Sequence, residues 1–183
     1  RRVIQLNPFI WQIILNLFIL NFRPSKTAEA YKKIWMQNEN MSPLRYYTQM
    51  QTKKLRESLK NNNLFIDYAM RYGNPSINNV IEKLQKKGCE NLIVLPLYPQ
   101  YAGATTATVC DEVYRALTKM RWQPSLQIIP HYESESLYID ALNRSINKSI
   151  SKLKWKPDLV LASYHGIPKN YFEKGDPYHC YCQ

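Results

Sequence analysis

Apolar residues crowd the stretch PFIWQIILNLFIL, positions 8–20, on nearly every face of a helical wheel. That density predicts a helix over 9–20, opened by Pro8. Pro24 is expected to end it, because proline lacks a backbone donor and crowds the preceding turn. Ser25 or Thr27 then caps a second helix running through Trp35. Asn38-Glu39-Asn40 reads as a turn. Ser42-Pro43 opens a third helix over 43–60, which stops at the polar Asn61-Asn62-Asn63. The opening Arg1-Arg2-Val3-Ile4 reads as sequence from inside a domain.

After residue 63 the rhythm shortens. LFIDYAMRYG (64–73) reads as a strand, and a helix over 77–87 follows and ends at Gly88. NLIVLPLYPQ (91–100) is an almost unbroken apolar run, as expected of a strand covered on both faces. The polar turn AGATT leads into a helix over 105–121. SLQIIPHY (125–132) is a third strand, 135–152 another helix, and DLVLASYHG (158–166) a fourth strand. Alternating strands and helices predict an α/β fold with an open, Rossmann-like, mostly parallel sheet and helices on both faces. Ligands of such sheets bind beyond the carboxyl ends of the strands. Four places qualify: Arg71-Tyr72-Gly73, Tyr98–Tyr101, His131-Tyr132 and Ser163–Gly166. Together they describe a concave aromatic pocket with an ionisable group in it.

Composition narrows the partner. The net charge is +11 and 14 residues are tyrosine. Positive charge suits nucleic acid, an anionic membrane surface or an acidic small molecule. The lysine pairs at 32–33, 53–54 and 86–87 are scattered, so nucleic acid is not expected. The four cysteines, at 89, 110, 180 and 182, with no visible secretory signal, suit a reducing compartment. The run at 8–20 is too short to span a bilayer and suits a core helix or one lying on a membrane surface.

His165 is the main chemical candidate. A histidine at a strand end, followed by Gly-Ile-Pro, is held on a tight turn facing the cleft, where imidazole can accept a proton or a metal ion. A structural histidine bonded to its loop remains equally open. GxGxxG, a P-loop and G-x-S-x-G are absent; Ser163 points the same way as His165 but has no acidic partner for a triad. His179-Cys180-Tyr181-Cys182 is a ligand cluster by residue type, though its one-residue spacing differs from a zinc pair. With Cys110 the two thiols could hold three corners of an iron–sulfur cluster. Cys89 suits a small buried filler.

The motifs SYHGIPKNYFEKGDPYHCYCQ, LPLYPQYAGATTATV, AMRYGNPSI and SPLRYYTQMQ, in series, resemble the ferrochelatases of bacteria along essentially all 183 residues. The resemblance implies two Rossmann-like lobes around a porphyrin cleft, and insertion of Fe(II) into protoporphyrin IX with release of two protons. It implies that His165 is the catalytic base and metal ligand. It also implies that Arg71, Tyr72, Tyr98, Gln100, Tyr101 and Ser163 line the porphyrin site. A [2Fe–2S] cluster, present in some members, would draw on Cys110, Cys180 and Cys182. The helix 9–20 resembles the apolar lip at which the family meets the membrane, so a cytoplasmic enzyme peripheral to the inner membrane is expected. Residues 1–153 would form a first lobe without its first strand, and 154–183 the start of a second. The family's catalytic glutamate would lie further downstream, and the chain alone is expected to be inactive and marginally stable. A non-catalytic porphyrin- or haem-binding protein, or a chelatase for another tetrapyrrole or metal, is the alternative. A basic iron–sulfur domain on nucleic acid is a remoter one.

Overall fold

The computed structural model describes residues 7–60 and 63–183. Arg1-Arg2-Val3-Ile4 and most of the Asn61-Asn62-Asn63 loop lie outside the described residues. The chain divides into two compact units, one reaching Cys89 and the other spanning Glu90–Gln183. The fold is α/β, helices with a small parallel sheet, consistent with the expected class.

The first unit opens with α1 (Pro8–Ile14), a π-helical turn (Leu15–Ile19) and α2 (Leu20–Ile34). Asn7 caps α1 by accepting from Phe9 N–H at 2.9 Å. The expected break at Pro24 does not occur; α2 runs through it. The hydrogen-bond frame is already interrupted one turn earlier, where the Leu20 N–H reaches back to Leu15 O. There the Asn21 amide donates to the carbonyls of Asn16 and Leu17 at 3.1 and 2.9 Å. A proline shortly after such a shift costs less than one in an unbroken ladder. None of the described side chains of this arm is buried, and Phe9 is 74% and Phe22 68% exposed. No helix is long and apolar enough to cross a membrane among the described residues.

Helix α3 (Pro43–Ser58) starts where its sequence predicts, with Ser42 accepting from Arg45 N–H and Pro43 at the first position. Helix α4 (Ile77–Lys86) is capped by Ser76 and buries Ile77, Val80 and Ile81 on one stripe. The segment 64–73 is not a strand. Its only sheet-like contact among the described residues is a bridge from Met70 to Ser76. Side chains hold it instead. Arg56 Nε donates to Ile66 O at 2.6 Å, and Gln49 donates to the Tyr68 hydroxyl at 2.8 Å. Asp67 accepts from Arg56 at 2.9 Å and from Lys83 at 2.6 Å.

That network has a pH signature. Burial pushes Asp67 up, but the Lys83 hydrogen bond, the Tyr68 N–H and the charges of Lys83 and Arg56 outweigh it and hold the carboxyl below its ordinary value. A depressed carboxylate stabilises the fold at pH values above its unfolded pKa, about 4, and loses that contribution as pH falls through the folded value. Asp67→Asn is therefore expected to cost about 1–2 kcal/mol at pH 7, modest because both cations are half exposed. Urea unfolding checks it: the gap between the two proteins must close well below pH 4.

In the second unit, β1 (Asn91–Val94) pairs in parallel with β2 (Ser125–Ile128), Asn91 opposite Ser125 and Val94 opposite Ile128. Both are shorter than the runs 91–100 and 125–132 that the sequence predicts. Pro96 and Pro130 stand just past their ends, and proline cannot donate to a ladder. Helix α5 (Thr106–Leu117) crosses between them and buries Thr106, Val109, Val113, Ala116 and Leu117, the spacing of a helix face. Gln123 donates to Leu117 O at 2.9 Å and closes its end. Helices α6 (Ser136–Ile150), α7 (Lys169–Glu173) and α8 (Tyr178–Cys182) complete the unit. The expected strand 158–166 has no ladder partner among the described residues; Leu159 and Leu161 stand in solvent. An extended apolar run becomes a strand only when another strand pairs with it.

Candidate functional site

Because β1 and β2 run parallel, the segments after them leave from the same end of the pair. The loop 129–135 is stitched to the loop 95–105 by Tyr132 N–H donating to Pro99 O at 2.9 Å. That bond places Tyr132 beside the turn carrying Tyr98, Gln100 and Tyr101. Tyr98 is exposed, while Gln100 and Tyr101 are half-buried.

Tyr132 meets Tyr138 of α6 edge to face, with ring centroids 5.3 Å apart. Tyr164 lies close enough to Tyr138, and to Tyr178 of α8, for their phenols to feel each other. Burial pushes the phenols of Tyr132, Tyr138 and Tyr178 above their ordinary value, and neighbouring phenols push the same way. For Tyr178 the Cys182 thiol adds to this and a hydrogen bond from the His165 backbone opposes it. All three stay protonated at neutral pH. The surface they form is aromatic, hydrogen-bonding and uncharged. His165 is exposed beside it, as are Ser163 and Tyr164.

Helix α8 ties these loops together. Asp176, just before it, accepts from Gly103 N–H at 2.7 Å through Oδ2 and from Tyr178 N–H at 3.1 Å through Oδ1. A side chain at position 103 would meet Asp176 Oδ2 at 3.0 Å, a contact tight enough that the carboxylate would have to move by a few tenths of an ångström. Tyr181 stacks on His131 with centroids 4.5 Å apart, and His131 Nδ1 lies 3.0 Å from both Glu133 oxygens. The Gly-Asp-Pro-Tyr turn could have revealed Asp176, since an aspartate often accepts from the N–H two residues on. Nothing local pointed to its partner Gly103, or to the contacts of Tyr138 and Tyr181.

The iron–sulfur expectation does not fit. Cys180 and Cys182 are two apart within α8, which turns their side chains about 200° from each other. Cys180 is exposed, and the Cys182 thiol is engaged with Tyr178. Cys110 belongs to α5. Among the described residues no group of three or more His, Cys, Asp or Glu could hold a metal ion. The His-Cys-Tyr-Cys run serves packing, through Tyr181 on His131 and His179 against Phe172.

Arg71 and Tyr72 belong to the first unit. The Arg71 guanidinium lies 4.6 Å from the centre of the exposed Tyr72 ring, and Gly73 takes the left-handed φ of 93° that turns the chain after them. A guanidinium on a flat ring offers a planar cation beside an aromatic face.

Comparison with known proteins gives a consistent result. A family model described as Ferrochelatase matches residues 1–183. A ferrochelatase of Rhizobium meliloti is 54% identical over 184 residues, covering 100% of this chain and 54% of the relative. One of Allorhizobium ampelinum is 52% identical, with 100% and 53% covered. One of Francisella tularensis subsp. novicida is 50% identical over 181 residues, with 99% and 54% covered. The chain thus spans about half the length of the curated relatives it matches.

Proposed function

The chain belongs to the ferrochelatase family, and from that premise we propose that the whole protein inserts Fe(II) into protoporphyrin IX to give protohaem, the last step of haem biosynthesis. The observation that carries this reading at the level of residues is the exposed His165, with Tyr164, beside the protonated phenols of Tyr132, Tyr138 and Tyr178. A porphyrin is flat and apolar, so rings at the strand ends match its face. It carries two propionates, and phenols kept protonated present no anion to repel them. Arg71 on Tyr72 is suited to receive a propionate.

The reaction exchanges one Fe(II) for two pyrrole N–H protons. Those protons need an acceptor at the ring, and the His165 imidazole takes one at a time and passes it to solvent. Its exposure supports that second transfer. His165 is also the first donor the incoming iron meets as it sheds water. Tyr98, Gln100, Tyr101 and Ser163 complete the porphyrin contacts in this reading, with 1–153 as a first lobe and 154–183 as the start of a second. The exposed apolar side chains of α1 and α2 favour a cytoplasmic protein that touches the membrane surface, where its sparingly soluble substrate partitions.

The test is anaerobic mixing of the full-length protein with Fe(II) and protoporphyrin IX, following the loss of porphyrin fluorescence. Insertion well above the protein-free rate is expected. Tight porphyrin binding without insertion would replace this reading with that of a porphyrin-binding protein. Insertion of another divalent ion in preference to iron would make it a different chelatase.

A further inference from the structure

We propose that the pocket lined by α3, α4 and the segment 64–67 binds a small amphipathic anion, a carboxylate or phosphate head on a short apolar body. The pocket has a volume of about 340 Å³ and lies wholly within the first unit. Arg56, Lys83 and Lys87 line it together with Leu64, Phe65 and Leu84. Asp67 is the one carboxylate among the lining residues, so three cations against one anion leave a surplus of two positive charges. Both Asp67 oxygens are already engaged, Oδ1 by Arg56 and Tyr68 N–H, Oδ2 by Lys83.

Lys87 has a different environment. Its ammonium lies 5.1 Å from the centre of the Phe65 ring, and among the described residues no carboxylate pairs with it. A cation over an aromatic face keeps its donors available while standing against apolar surface. A ligand that puts an anionic head on Lys87 and an apolar body against Phe65, Leu64 and Leu84 satisfies both at once. A purely structural role accounts for Arg56 and Lys83, which hold Asp67, but gives Lys87 and the open volume nothing to do. The volume is at the small end of ligand pockets, which excludes a macrocycle and keeps this site distinct from the porphyrin surface. The inference does not rest on the metal-insertion reading.

The experiment is an NMR titration of the full-length protein, labelled with ¹⁵N, with octanoate, octyl phosphate, inorganic phosphate and octanol. Octanoate or octyl phosphate should shift the amides of 64–67 and 84–88 saturably, and the tighter of the two identifies the head group. Inorganic phosphate and octanol should each bind at least tenfold more weakly. Lys87→Glu should weaken the amphiphile at least tenfold without moving the unfolding midpoint, and Asp67→Asn should tighten it. No saturable shift in these amides, equal affinity in Lys87→Glu, or inorganic phosphate binding as tightly as octyl phosphate would each overturn the proposal.

Discussion

Replacing His165 by alanine in the full-length protein is expected to lower kcat for iron insertion by at least about a hundredfold, some 2.7 kcal/mol of barrier. The porphyrin Kd should change by no more than about threefold, because the aromatic face supplies most of the binding. The separation of the two effects follows from the structure. The imidazole is exposed, so its removal leaves no cavity. The contact from residue 165 to Tyr178 is made by the backbone, which alanine keeps. Stopped-flow fluorescence gives both constants in one experiment, and added imidazole should restore part of the rate. A variant that turns over normally would remove His165 from the reaction. A variant that loses porphyrin binding in parallel would assign it to the binding surface.

The second large effect falls on stability. Asp176→Ala is expected to cost about 3 kcal/mol, because one charged acceptor serves two backbone N–H groups, those of Gly103 and Tyr178. Hydrogen bonds to an ionised group each contribute more than a neutral pair. Asp176→Asn should recover only part of the loss, since an amide can turn one oxygen to one N–H but offers a donor to the other. Glutamate should do no better, because its extra methylene moves the carboxylate away from the position in which it meets both N–H groups. Denaturant midpoints for the three variants check the order, with alanine lowest. Equal stability of the asparagine variant and the parent would mean that a single bond carries the contact.

Much of the helical framework is legible from local signals. Ser42-Pro43 and Ser76 mark the starts of α3 and α4 to the residue, whereas α5 ends at Leu117 and α6 at Ile150, short of the expected 121 and 152. The strands are less legible because a strand is a relation between two segments. LFIDYAMRYG and DLVLASYHG have the composition of strands, yet among the described residues neither has a ladder partner. Pro24 misleads for a different reason: the π-helical turn that accommodates it is set by Asn21 bonding back to Asn16 and Leu17, a contact that composition does not announce. At the site, the aromatic turns Tyr98–Tyr101 and His131-Tyr132 follow β1 and β2 as the sequence leads one to expect, whereas the segment before His165 has no ladder partner among the described residues. Their connection could not be read in advance, since Asp176 meets Gly103 across 73 positions of sequence. The His-Cys-Tyr-Cys run shows the converse error. Residue type suggested ligands, but helical periodicity separates them.

The parallel pairing of β1 with β2 also bears on how the protein is made. Asn91 waits for Ser125, 34 positions later, and closing a loop of that length costs about 3 kcal/mol before any contact repays it. On a translating ribosome the interval lasts about 2–7 seconds. For that time Leu92, Val94 and the apolar residues after them have no strand to bond. They emerge already preceded by the exposed apolar arm of α1 and α2. Slower synthesis therefore lengthens the time in which an unpaired strand and an apolar arm are both open to other chains.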